Sequence, residues 1–169
     1  MRLWRLIRIL KPNQLWKLLK LGFRYPLMIS PTLKATRLTV AISNANYGKQ
    51  HHKNTAANAF RHALWNYLIA KKCSSWSGEP QRILDWTQKI TDLHEDFLPN
   101  KPLAREMDLH NNKVGRHLYT KMGDLSVEAL ISLLQEKTDA SQFVSQIEEL
   151  TKLPEGQLAH IVEADKNEG

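Results

Sequence analysis

From Pro31 onward, apolar residues return every three or four positions, the rhythm of helices that each bury one side. Leu33, Thr36, Val40 and Ser43 or Asn44 line one side of a helix from Thr32 to Tyr47, and Gly48 stops it. A Gln50–His51–His52–Lys53 loop follows, and Asn54 or Thr55 caps a helix carrying Phe60, Leu64, Tyr67 and Leu68 to near Cys73. Pro80 suits the first position of the next, with Ile83, Trp86 or Thr87, Ile90, His94 and Phe97 inward. Pro99 and Pro102 punctuate before Leu103, Met107, Val114 and Leu118 resume the pattern. Gly123–Asp124 reads as a turn and cap for Val127, Leu130, Ile131 and Leu134, and Asp139 with Gln142 as a capping box ahead of Phe143, Ile147 and Leu150. Period-two alternation is not sustained and no repeat is visible. The expected fold is therefore all-α, a compact bundle of about five to six helices.

The first thirty residues have a different texture. In MRLWRLIRILKPNQLWKLLKLGFRYPLMI, Arg or Lys interrupts the apolar residues every two or three positions, and Trp4 and Trp16 punctuate it. A signal peptide needs an unbroken apolar core, so this reads instead as a basic amphipathic segment. Such segments lie in the interface of an anionic leaflet, docking on the body and cleavable targeting being the alternatives. The expected organisation is a segment over 1–30, one helical domain over 31–163 and a frayed tail over 164–169.

Charge sharpens that division. The chain holds 24 Lys and Arg against 17 Asp and Glu, yet no acidic residue precedes Glu79. The first part thus calls for an anionic partner. Because its charges are interleaved with Leu, Ile and Trp, a membrane surface ranks above nucleic acid, for which no recognition motif is visible. A single Cys, Cys73, excludes a disulfide framework and a thiolate zinc site. No apolar run is long enough to span a bilayer. The expected location is the cytoplasm, peripheral on the inner face of the membrane.

Three of the helices carry polar residues that a plain bundle does not need. Asn58, His62 and Asn66 are four apart, a polar stripe beside Phe60, Leu64 and Leu68. His94 falls between Ile90 and Phe97, next to Glu95. Asp108, Asn111, Asn112 and Gly115 share a face, and a glycine in mid-helix costs about 1 kcal/mol relative to Ala, which implies close approach of a neighbour. Convergence of these stripes would make a metal or acid/base centre from His62, His94, Glu95 and Asp108, ligands suited to a divalent transition metal. Asn58, Asn66, Asn111 and Asn112 would orient a substrate, and Arg61 and Arg116 would grip a phosphate in bidentate fashion. His51, His52, His117 and His160 are expected at the surface or in loops, and Trp65, Trp76 and Trp86 in the core. A satisfied network that merely fixes helix register is the competing reading.

The blocks NAFRHALWN, TDLHE and MDLHNNKVGR resemble an uncharacterised bacterial family of helical domains, with similarity from about Tyr47 to Tyr119 and more weakly over TLKATRLTVAISNANYG. That resemblance implies an α-helical domain and no activity. The order His, then His–acid, then Asp is also similar to metal-dependent phosphohydrolases of the HD type, although His94–Glu95 stands where those have His–Asp. The function expected is a membrane-associated hydrolase acting on a phosphate-containing or lipid substrate; the alternative is a non-catalytic helical binding or membrane-adaptor protein.

Overall fold

The computed structural model describes residues 11–97 and 100–162. Expectations for residues 1–10, for Pro99 and for the tail over 164–169 lie outside them. Seven α-helices order the described chain: α1 (Pro12–Arg24), α2 (Pro26–Tyr47), α3 (Ala56–Ser74), α4 (Pro80–Phe97), α5 (Pro102–Met122), α6 (Val127–Asp139) and the short α7 (Ile147–Leu150). Strands β1 (Gln142–Phe143) and β2 (Ala159–His160) pair in parallel, Gln142 opposite Ala159. The bundle is all-α apart from that two-residue pairing.

Helix α3 is the axis. Phe60, Ala63, Leu64, Tyr67, Leu68, Ile69 and Ala70 are buried around its circumference, as befits a helix enclosed by others. Its most extensive packing is against α5 and α2, with α4 and α6 completing the enclosure. Each Leu, Ile or Phe removed from water there contributes roughly 1.5–3 kcal/mol. The α3–α5 crossing is set by Gly115. A Cβ at that position would lie 2.2 Å from the Ala63 carbonyl oxygen and 2.9 Å from its Cα. The close approach expected from a mid-helix glycine is thus a backbone-to-backbone contact, one residue from His62.

Some boundaries differ from those the sequence suggests. Helix α2 starts at Pro26 and runs through Pro31, which is buried against the body. A proline there removes the hydrogen bond to the Leu27 carbonyl, and burial of its ring against the body opposes that loss. Helix α6 is capped not by Asp124 but by Ser126, whose Oγ accepts from the Ala129 amide at 3.1 Å. The capping box lies at Gln146 and Glu149 rather than at Asp139 and Gln142. Asp139 instead ends α6, and Gln142 and Phe143 extend into β1.

His51 and His160 are buried, against expectation, because each finds a polar partner inside. His51 Nε2 is 2.8 Å from Asn44 Oδ1, and His160 Nδ1 is 3.0 Å from Ser141 Oγ. Of the tryptophans, Trp86 is buried, Trp65 half-buried, and Trp76 is 55% exposed in the loop after α3. Trp86 keeps its indole N–H satisfied by donating to Thr32 Oγ1 at 2.8 Å.

Candidate functional site

The close α3–α5 crossing at Gly115 carries the polar stripe of α3 onto that of α5, and α4 closes the third side. His62, Glu95 and Asp108 meet there, 3–4% exposed, with one ligand-capable atom from each lying within 4.8 Å of the other two. His62 Nε2 is 3.3 Å from Asp108 Oδ1, and His62 Nδ1 is 3.6 Å from Glu95 Oε1.

Hydrogen bonding fixes the imidazole. Asn112 Oδ1 accepts from Asn66 Nδ2 at 2.7 Å, and Asn112 Nδ2 donates to Glu95 Oε1 at 3.4 Å, which settles the amide's orientation. His62 Nδ1, 3.0 Å from the same Oδ1, must therefore carry the proton and donate. The lone pair is left on Nε2, where Arg61 Nη2 donates at 2.9 Å. Asn66 in turn is held by Arg116 Nη1, which donates to its Oδ1 at 2.9 Å, and by the Thr91 hydroxyl at 3.2 Å. Asn100 Nδ2 reaches Asp108 Oδ2 at 3.3 Å, while Asp108 Oδ1 is buried without a hydrogen-bond partner.

Burial dominates the electrostatics. It pushes both carboxyl groups up to about 7, and for Asp108 the charge of Glu95 adds to the effect while Arg61 opposes it. Burial holds His62 well below the usual imidazole range, with Arg61 adding to it. His94 is likewise held down, to about 4. At neutral pH the site thus holds neutral imidazoles, a guanidinium and carboxyls near their midpoint, a set that can accept a cation or exchange a proton.

The other expected site residues divide. His94 lies outside the ligand-distance group and packs edge-on against the half-buried Trp65, ring centroids 5.0 Å apart. Of the pair His94–Glu95, Glu95 is the residue that joins the buried cluster, and Thr91 faces inward with it. Asn58 is buried at the start of the α3 stripe, its Oδ1 without a hydrogen-bond partner. Asn111 holds the chain's own C-terminal strand: its Nδ2 donates to the Ala159 carbonyl at 2.9 Å and its Oδ1 accepts from the Ala159 amide at 3.0 Å. Arg116 connects the network to an open groove of about 320 Å³ between α4 and α5, also lined by Gln88, Lys113 and His117. Thr91 and Asn100 were not expected. Thr87, Thr91 and Glu95 are four apart, matching Asn58, His62 and Asn66, so the spacing alone could have flagged Thr91.

Fold and site together define an all-helical bundle domain with a buried His/Glu/Asp cluster at the crossing of three helices. The chain belongs to the family described as Domain of unknown function (DUF6973), which matches residues 19–142. No curated protein and no solved structure matches it.

Proposed function

We propose that this protein is a metal-dependent hydrolase working at a membrane surface on a phosphate-containing or lipid substrate, with His62, Glu95 and Asp108 holding a divalent transition metal. One observation carries the reading. The Nε2 lone pair of His62 and the unpartnered Oδ1 of Asp108 face each other at 3.3 Å. Two ligand atoms bound about 2.1 Å from one cation are separated by about that much, and a cation would satisfy both. The metal would supply charge neutralisation and an activated water. Arg61 sits where it can leave Nε2 for a substrate phosphate, which its planar fork would bind bidentately. Asn66, Asn112 and Arg116 keep His62 in the tautomer that offers Nε2.

The test is elemental analysis of purified protein, followed by titration with zinc, manganese and cobalt and assay on chromogenic phosphate mono- and diesters. The reading expects one equivalent bound, lost in Asp108→Asn, and metal-dependent release of product. The second reading is the non-catalytic helical binding or adaptor protein, favoured by the guanidinium that already occupies the His62 lone pair. Its signature is a folded protein that takes up no metal and in which Asp108→Asn changes only the melting temperature.

A further inference from the structure

Helix α1 buries none of its residues, and Trp16, Leu19 and Phe23 are exposed along it, Phe23 at 83%. At the α1–α2 joint, Tyr25 is buried against Trp86, ring centroids 5.3 Å apart. Three cations gather around the Tyr25 ring from two separate parts of the chain: Arg24 at 5.7 Å, Arg82 at 5.6 Å and Lys89 at 5.9 Å from its centroid. Among the described residues Asp85 pairs with one of them, 3.8 Å from Lys89, and also accepts from Gln81. Beside this cluster a cavity of about 160 Å³ is bounded by Leu27, Trp76 and Arg82, with Leu27 and Trp76 more than half exposed.

Like charges crowd together only against repulsion, and an anion relieves it. Exposed aromatic rings flanking such charges favour the boundary between headgroups and acyl chains. We infer that the joint of α1 and α2, together with Trp76, Arg82 and Lys89, is a composite docking site for an anionic phospholipid surface. Arg24, Arg82 and Lys89 take headgroup phosphates, and Phe23, Leu27 and Trp76 enter the apolar layer. The inference rests on the membrane reading above and relocates it: the site is not a property of residues 1–30 alone but needs α4 and the loop before it. No helix among the described residues is long and apolar enough to cross a membrane, so the contact is one of surface burial.

The test is co-flotation of the full chain with phosphatidylcholine vesicles and with vesicles that also contain phosphatidylglycerol. Wild type is expected on the anionic vesicles and not the neutral ones. The triple variant Arg24→Ser, Arg82→Ser, Lys89→Ser is expected to bind about a hundredfold more weakly. The pair Phe23→Ser, Trp76→Ser is expected to bind at least tenfold more weakly, with an unchanged circular dichroism spectrum. If both variants float as wild type does, the composite site is wrong while the membrane reading stands on the remaining N-terminal residues. If wild type floats with neither vesicle, both fall. Release of wild type by millimolar inorganic phosphate would make free phosphate the ligand, and self-association through this face would make a second copy the occupant. Either result overturns the proposal.

Discussion

Along α3, α4 and α5 the molecule buries a histidine, two carboxyl groups and four amides, whereas the α1–α2 corner and the adjoining Trp76 leave a phenylalanine, two leucines and two tryptophans in water. Both regions break the ordinary partition of side chains, in opposite directions. In the buried region most polar atoms are answered by another; Asn58 Oδ1 and Asp108 Oδ1 are not, and of the two Asp108 Oδ1 is the one that lies beside His62 Nε2. At the corner, among the described residues, the apolar groups stay exposed and the cations around Tyr25 outnumber the acid paired with them. The unmet group inside points to a cation, and the uncovered surface outside points to an anionic layer. The difference lies in what holds each together: geometry fixed by a close helix crossing in one, and exposed composition in the other.

The first way to break the comparison is to spoil the crossing. Gly115→Ala places a methyl group against the Ala63 backbone, which cannot yield as a side-chain tip can. A loss of about 3 kcal/mol or more is expected in urea denaturation, with loss of metal uptake, since α3 and α5 must separate. A smaller perturbation keeps the crossing and removes one amide. Asn112→Ala leaves the His62 Nδ1–H and Asn66 Nδ2 without their shared acceptor, for an expected loss of about 1–3 kcal/mol and a metal affinity lowered roughly 10–100-fold.

Acid titration sharpens the contrast from a third place. Burial holds His51 down to about 4, so between that pH and its ordinary value near 6.5 the unfolded chain binds more protons than the folded one. Its contribution is therefore present above pH 6.5 and is lost as pH falls through about 4. The raised Glu95 and Asp108 act oppositely, weakening the metal-free fold as pH rises from about 4 towards 7. His51→Gln isolates the first effect: its unfolding free energy should fall less than that of wild type between pH 6.5 and 4.5, by about 1 kcal/mol once solvent screening is allowed for. The smallest effect belongs to the corner. Phe23→Ser should leave stability within about 0.5 kcal/mol, because the ring touches mostly water. A larger loss would mean that α1 is held to the body by that ring.

Helical periodicity made most of the bundle legible, and the four-residue spacing of Asn58, His62 and Asn66 announced a buried polar face. The long helix through Pro31 was not legible, because a proline reads as a break unless the tertiary burial that holds it is known. Which residue of His94–Glu95 faces inward was also hidden. The apolar positions of α4 admit two faces about 100° apart, and only tertiary contacts such as that of Thr91 with Asn66 of α3 select Glu95. The roles of Asn111 and Trp76 depend on partners distant in the chain, Ala159 for one and Arg82 with Leu27 for the other. No local pattern encodes those.

Calorimetric titration of the full chain with zinc and with manganese at pH 7.5, for wild type and Asp108→Asn, tests the central claim most directly. The account predicts one bound ion per chain in wild type and an affinity at least about a hundredfold lower in the variant. It also predicts weaker binding below pH 7, as protons compete for Glu95 and Asp108. A folded wild-type protein that binds neither ion, or a variant that binds as wild type does, would contradict it.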